Sequence, residues 1–367
     1  MRTFSTLVTT VLFIFHFAVI SCQQKSSMKR FNYETGNSCP TYYDIETYRQ
    51  VMYAENDELI MIDGVGPLRS PWGDGGVTYV KSSESGYPVP KILKVGYYSE
   101  TEDLFYEGEF VLPSAEIRNL LEESSEDPFY RKEKNIPSKY NRIELGIALG
   151  GLVVMWVKGP GEQKEVAKFK TKKVDYEWND IFERGTREAA VKYNLKNIFT
   201  EKVRNEVLNK TLPIDLWERY REKFSWNYTI NIPDGAVVSS VYMKMINAEA
   251  ETNYTSNPSN QPAKRAVPYH AEINWQLHGK KYQSRVVFAE DPNYYDIIYL
   301  GDTADAENSF PEDLTAEEAY QKFKKLNSAI PAHLVFNIST VRDLNVVLKQ
   351  GNENYPIQKI IGKTFEQ

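Results

Sequence analysis

Cys22 is the residue whose neighbours most plainly set its chemistry. It follows Val19, Ile20 and Ser21 at the end of the apolar run "LVTTVLFIFHFAVI", behind Arg2, and the "QQKSS" after it is wholly polar. A basic start, an apolar stretch and a small residue before a cut describe an export signal over residues 1–21. The run is shorter than the roughly 20 apolar residues that a membrane-spanning helix needs. Val19-Ile20-Ser21-Cys22 resembles a bacterial lipobox, in which the signal is cut before the cysteine and the cysteine carries a lipid. Ordinary cleavage at the same place would instead leave Cys22 to pair with Cys39, the only other cysteine. Lipidation leaves no disulfide framework.

Other residue groups invite chemistry and have a plainer reading beside it. His270, Glu272, Asn274, Gln276 and His278 alternate with Ala271, Ile273, Trp275 and Leu277. On a strand, that spacing places the two histidines roughly 27 Å apart, too far to share one ion. A wet strand face accounts for the alternation better than a metal site does. Asp302, Asp305, Glu307, Glu312 and Asp313 crowd one segment, but without the spacing of a calcium loop, so an acidic solvated loop is the better reading. Trp72 stands between Pro71 and Gly73, and two roles fit it. Exposed, it would stack on a sugar or anchor a protein partner; folded back, it would cover core. No Gly-x-Ser-x-Gly elbow and no phosphate-cradling glycine loop is present. No catalytic residue, metal ligand or cofactor is therefore expected, although 50 acidic residues leave a glycosidase-type carboxylate pair open and unlocated.

The elements that must carry these residues are mostly strands. The chain is 41% hydrophobic and 26% charged, an ordinary globular composition, and 13% aromatic with 25 tyrosines, which suits strands. A net charge of −6 with no basic run argues against nucleic acid as a partner. Residues 22–39 read as a polar tether and "GVGPLRSPWGDGG" as loop. "KILKVGYYSE" and "LFYEGEFVLP" read as a strand pair, followed by a short helix capped by Ser114. Three strands follow over residues 142–174, with "LVVMWV" central, and then a helical block to about residue 224. After a breaker-rich linker over 252–268 the pattern returns. It comes back as a strand pair, a helix opened by Thr315 with Glu318 in a capping box, and three strands. Residues 333–365 align under 142–174 without a gap. The expectation is an α+β fold of two similar, mainly antiparallel ββαβββ units. Helices pack on one face, and a helical segment lies between the units. The units cover residues 40–230, helical block included, and 231–367.

Several stretches together resemble the domain of unknown function 2931 family. They are "SPWGDGG", "PVPKILKVGYYSETEDLFYEGEFVLP", "NRIELGIALGGLVVMWVKG" and "EVAKFKT", extended by "LWERYREKFSW" and "HAEINWQLHGKKY". The resemblance implies a lipoprotein of Bacteroidota or related Gram-negative bacteria, and it transfers no catalytic residue. By analogy with other lipoproteins, Gln23 after Cys22 implies the outer membrane. Asp302-Thr303-Ala304 resembles the Bacteroidota O-glycosylation pattern, which makes Thr303 a candidate glycan site. The expected function is non-catalytic binding of a protein or glycan by a lipid-anchored envelope protein, an immunity-type role being one version. The alternative is a hydrolase acting on envelope or other glycans.

Overall fold

A computed structural model of the chain describes residues 29–61, 66–68, 70–78, 86–125, 138–254, 261–288, 316–339 and 344–367. The first half opens with β1 (Arg30–Phe31), β2 (Glu34–Ser38), β3 (Ile45–Ala54), β4 (Leu59–Met61), β5 (Gly66–Leu68) and β6 (Gly76–Thr78). Next come β7 (Tyr87–Pro88), β8 (Pro90–Ser99), β9 (Leu104–Val111) and a helix, Ser114–Glu122. A short pair, β10 (Ser124–Ser125) and β11 (Ser138–Lys139), precedes β12 (Arg142–Ala148), β13 (Leu152–Gly159), β14 (Glu162–Lys170) and β15 (Lys172–Val174). The middle holds helices at Trp178–Ile181, Arg187–Tyr193, Glu201–Asn209 and Leu216–Arg219, with a π-helical turn at Asn194–Ile198. The second half runs β16 (Phe224–Asn231), β17 (Val237–Met245), β18 (Ala250–Asn253), β19 (Ala263–Arg265), β20 (Pro268–Leu277) and β21 (Lys280–Val287). A helix, Glu317–Lys324, precedes β22 (Ala332–Ile338), β23 (Leu344–Gln350), β24 (Glu353–Ile357) and β25 (Ile361–Glu366).

The fold is α+β, and three sheets carry it. One has the order β15-β9-β8-β3-β4, with β5 also on β3; a second has the order β19-β16-β22-β23-β24. The third, of ten strands, runs β25-β21-β20-β17-β18-β14-β13-β12-β2-β6. Apart from two parallel pairs, β2 with β12 and β16 with β22, all described pairings are antiparallel. Register slips recur as well. β3 shifts against β8 between Thr47 and Arg49 and between Tyr53 and Ala54. β17 shifts against β20 between Val238 and Ser240 and between Lys244 and Met245.

Apolar side chains gather into separate cores. One is built from residues between Tyr33 and Val157 and includes the inner face of helix Ser114–Glu122 through Ile117, Leu120 and Leu121. Another is built from residues between Tyr220 and Ile357 and takes Ala319, Tyr320 and Phe323 from helix Glu317–Lys324. A third, with Tyr43, Trp72, Trp156, Phe199, Trp217 and Ala248, draws on both halves. Residues 152–157, "LVVMWV", are buried throughout because β13 lies inside the ten-stranded sheet.

Several boundaries differ from the sequence expectation. Residues 34–38, placed in the tether, are strand β2, and Thr35, Asn37 and Ser38 are buried. These polar side chains are hidden because they are bonded: Asn37 Nδ2 donates to Gln50 Oε1 at 2.8 Å and Ser38 Oγ to the Leu145 carbonyl at 3.3 Å. Hydrophobic patterning cannot see such a strand. Phe224, expected on a helix, opens β16, where Trp226 is fully buried. The glycine-rich stretch and the linker each contain short strands, β5 and β6 in one, β19 in the other. Ser114 is the first helical residue rather than the cap, and its hydroxyl donates to the Pro90 carbonyl at 2.7 Å. Glu318 accepts from the backbone of Gln358 and Lys359 and from Lys322 one turn along, so it ties its helix to the β24–β25 turn. The last stretch holds four strands, with β25 returning to β21. Cys22, Thr303 and Thr315 lie outside the described residues.

Candidate functional site

β3 and β8 build the floor of a cavity. Glu46 of β3 sits opposite Tyr98 of β8, and Glu100 follows two residues after Tyr98, its N–H bonded to the Asp44 carbonyl at 3.1 Å. Alternation along a strand therefore turns Glu46, Tyr98 and Glu100 to one side. The helical segment over residues 178–198 covers that side. Trp178 packs edge-on against Tyr98 with ring centres 5.4 Å apart, and its indole N–H donates to the Arg184 carbonyl at 2.8 Å. Thr186 caps the next helix by accepting from Ala189 N–H at 3.2 Å. The π-helical turn then brings Asn194 over Glu100, donating Nδ2 to Oε2 at 2.6 Å. Between floor and cover is a cavity of about 360 Å³ lined by Glu46, Tyr98, Glu100, Trp178, Arg184 and Asn194, among others. That volume falls in the ordinary range for a small-molecule pocket.

The charges there are unequal. Glu46 and Glu100 are 8% and 9% exposed, whereas the Arg184 side chain, paired with Glu46, is 66% exposed. Tyr98 donates its hydroxyl to Asp103 at 2.6 Å, and Arg187 Nε reaches the same carboxylate at 2.7 Å. Burial first, and then Asp103, raises the Tyr98 phenol well above its ordinary range, so it stays a neutral donor. A second, shallower hollow lies on the other flank of the covering helix, against Asp103, Arg187, Lys192 and Lys196. The covering helix, Arg187–Tyr193, and its π-turn contain no buried residue. The strands hold the carboxylates; the cover is held by polar contacts together with the Tyr98, Phe105, Trp178 and Phe182 cluster and the half-buried Ala190, Leu195 and Ile198.

Trp72 is not at this site, nor is it an exposed ligand platform. It is 8% exposed and meets Trp156 edge-on at 5.0 Å. The rest of its loop is equally structural. Gln163 Nε2 donates to the Gly73 carbonyl at 3.1 Å, and Gly75 N–H donates to buried Glu144 at 2.6 Å. Asp74 accepts from Lys158 at 2.8 Å and from Lys244. Burial raises the Glu144 carboxyl despite Lys158 and the Gly75 N–H. Burial would also raise Asp74, but Lys244 and Lys158 bring it below its usual value. A loop of apparent breakers is thus a clasp between β12, β14 and β17.

His270 and Glu272 do neighbour one another, Nε2 to Oε1 at 3.5 Å, with Arg285 3.8 Å from the same oxygen. Burial, then Lys244 and Arg285, pushes His270 down to about 4. His278 stands at the far end of β20, in the turn to β21. Among the described residues no three His, Cys, Asp or Glu side chains converge as metal ligands. Cys39 is buried, its Sγ 3.2 Å from the Leu68 carbonyl. Glu46 and Glu100 were invisible beforehand: each is one of 50 acidic residues, and only the pairing of β3 with β8 brings them together.

A family model described as Protein of unknown function (DUF2931) matches residues 21–215. No curated protein and no solved structure matches the chain. The matched range takes in Cys22, the clasp loop, the cavity and most of the covering helices, and it stops before β16. "LWERYREKFSW" and "HAEINWQLHGKKY" therefore lie beyond it. More than half of the chain is matched, and the chain accordingly belongs to the DUF2931 family.

Proposed function

We propose that this chain is a non-catalytic binding protein held at the outer membrane through a lipid on Cys22, and that its cavity takes a small glycan fragment. The observation that carries the reading is the cavity between the β3–β8 floor and the covering helix. Buried acceptors at Glu46 and Glu100, donors at Arg184 and Asn194, and aromatic walls at Trp178 and Tyr98 suit a hydroxylated ring. Binding is favoured over hydrolysis because each carboxylate is engaged by a protein donor, Glu46 by Arg184 and Glu100 by Asn194. The anchor reading draws on the Val19-Ile20-Ser21-Cys22 order and on a family match that begins at residue 21.

We also propose that the chain is an internal duplication. In support, apart from the β14–β18 contact, β2, β3, β8, β9, β12, β13, β14 and β15 pair among themselves as β16, β17, β20, β21, β22, β23, β24 and β25 do. The slips flanking Tyr48 and Ser239 fall at equivalent places. The test of function is a titration of the mature protein with oligosaccharide fragments, followed by tryptophan fluorescence and by product analysis. Saturable quenching without cleavage is expected; release of shortened sugars would favour the hydrolase instead. Detergent-phase partitioning of the full chain, lost in Cys22→Ala, tests the anchor.

A further inference from the structure

We propose that the end of the sheet formed by β4, β3, β8 and β9 rests on the membrane that holds the Cys22 lipid, its row of Leu59, Tyr53, Ile92 and Val111 seated at the bilayer interface. The anchor proposed above is the premise. Cross-strand register builds the row: Tyr53 lies opposite both Leu59 and Ile92, and Ile92 lies opposite Val111. Residues directly opposed in a ladder share one face, and four neighbouring strands make the row about 14 Å wide. The other face of the sheet is closed by the first core, through Met52 and Leu93. On the face of the row, the helical segment over residues 178–198 covers the far end, around Glu46 and Tyr98. It leaves Val111 71% and Leu59 48% exposed, with Tyr53 and Ile92 half-buried between them. Contiguous apolar surface of this kind marks an interaction site.

The entry of the chain points to what lies against it. Arg30 Nη2 pairs with Glu58 Oε1 at 2.6 Å, so the first described strand sits beside Leu59. Cys22 stands seven residues before Lys29, a reach of at most about 25 Å. A lipid on Cys22 therefore keeps the bilayer within range of the row. Tethering at that distance gives a high effective concentration, so four side chains can suffice where a free protein would need more. The rim is balanced in charge. Like Arg30, the cations Lys29, Lys91 and Lys94 each meet a carboxylate, at 2.7, 3.2 and 3.0 Å. Such a rim has no net pull on anionic lipid, so the contact is apolar and suits a zwitterionic surface, where an amphipathic ring such as Tyr53 settles. The cavity stays clear of it, Glu46 lying roughly 20 Å further along β3.

The test places the lipidated full chain in phosphatidylcholine–phosphatidylethanolamine vesicles that carry a nitroxide-labelled quencher lipid. An environment-sensitive fluorophore is attached in Val111→Cys and, separately, in Leu208→Cys; Cys39 is buried. Leu208 is 63% exposed on helix Glu201–Asn209, whose Glu206 accepts from Tyr43 near the opposite end of β3. Both labels sit at exposed positions, and unchanged circular dichroism identifies the folded variants. Quenching at residue 111 several-fold stronger than at residue 208, with a blue shift at 111 alone, is expected. Adding phosphatidylglycerol or raising the salt should change neither. Leu59→Gln, combined with the label at residue 111, should weaken that quenching several-fold, and unaltered quenching would remove the row from the contact. Equal quenching at the two positions, in a protein whose vesicle partitioning is lost in Cys22→Ala, overturns the membrane seat and leaves the anchor standing. Partitioning that survives Cys22→Ala, or that never occurs, overturns the anchor and the seat together. A blue shift at residue 111 without vesicles, accompanied by a dimer in sedimentation, overturns the membrane seat and gives the row to a second copy of the chain.

Discussion

At the scale of single residues, the stretch "SPWGDGG" changes meaning between sequence and structure. Its glycines and proline mark a loop, and that much was readable. What could not be read is that the loop is pulled inward, because its partners Asn37, Glu144, Gln163 and Lys244 come from four separate strands. Gly146 shows how tight the packing is: a Cβ there would lie 2.5 Å from the Trp156 ring and 2.6 Å from that of Trp72. Gly146→Ala should therefore cost about 2 kcal/mol through overpacking, read from urea unfolding. An unchanged midpoint would mean that the two indoles are not held edge-on. His270 offers a second test. Its imidazole falls from an ordinary 6.5 to about 4 in the folded chain. Between those values the unfolded chain binds the proton and the native chain does not. The His270 contribution is thus complete above pH 6.5 and is lost as pH falls toward 4, by on the order of 3 kcal/mol. Glu144, raised by burial, works in the opposite sense: its contribution is present at low pH and is lost as pH rises through its folded value. The two are separated by comparing variants. His270→Gln should flatten the acid side of the stability curve, and a curve parallel to wild type would refute the assignment.

At the scale of elements, strong periodicity was legible and polar burial was not. β20 alternates over most of its length, β8 and β9 only in part, and β13 is apolar on both faces, yet each could be placed from residue types alone. β2 hides because its side chains are polar and bonded, and β16 because Phe224 continues the helical spacing of Leu216, Trp217 and Tyr220. The covering helix, Arg187–Tyr193, is the opposite case. It was readable as helix, yet nothing in its sequence says that it buries no residue fully and meets the floor through half-buried Ala190 and polar contacts. Arg187 to Asp103 and Asn194 to Glu100 are its chief fastenings. Elements with little buried apolar surface open locally at low free-energy cost. Amide exchange over residues 187–198 should therefore run orders of magnitude faster than in β12 and β13, and Arg187→Ala should speed it further without touching those strands. A bound sugar should slow it. Exchange in this helix as slow as in β13 would show that it is part of the rigid frame and not a yielding cover.

At the scale of the whole molecule, two apolar cores meet along a narrow join. One core uses residues up to Val157 and the other residues from Tyr220, while the ten-stranded sheet passes between them through β14 and β18. The ladder at that point has a single residue pair, Gln163 opposite Ala250. Residue patterning placed strands over both 142–174 and 333–365, where β12–β13–β14 and β22–β23–β24 lie. It could not anticipate a sheet shared by the halves, since one backbone pair leaves no periodic trace. So short a ladder needs help, which the third core and the clasp supply. Lys244 of β17 is 4% exposed and reaches across to Asp74 of the clasp loop. Burial alone would lower its amine, but Tyr269, Asp74 and Tyr242 hold it above its ordinary value, so it remains a cation. Asp74→Ala strands that charge. Loss of a partner from a fully buried pair costs 3–5 kcal/mol. Asp74 is half exposed, and solvent screening brings the expected cost to about 2 kcal/mol. Because the two cores share no residue, that loss should fall on the join. Calorimetry of wild type should give one cooperative transition, and Asp74→Ala should divide it into two, with proteolytic nicking near the β14–β18 contact. A single transition at an unchanged temperature would mean that the third core alone unites the halves and that the Asp74–Lys244 bridge adds nothing.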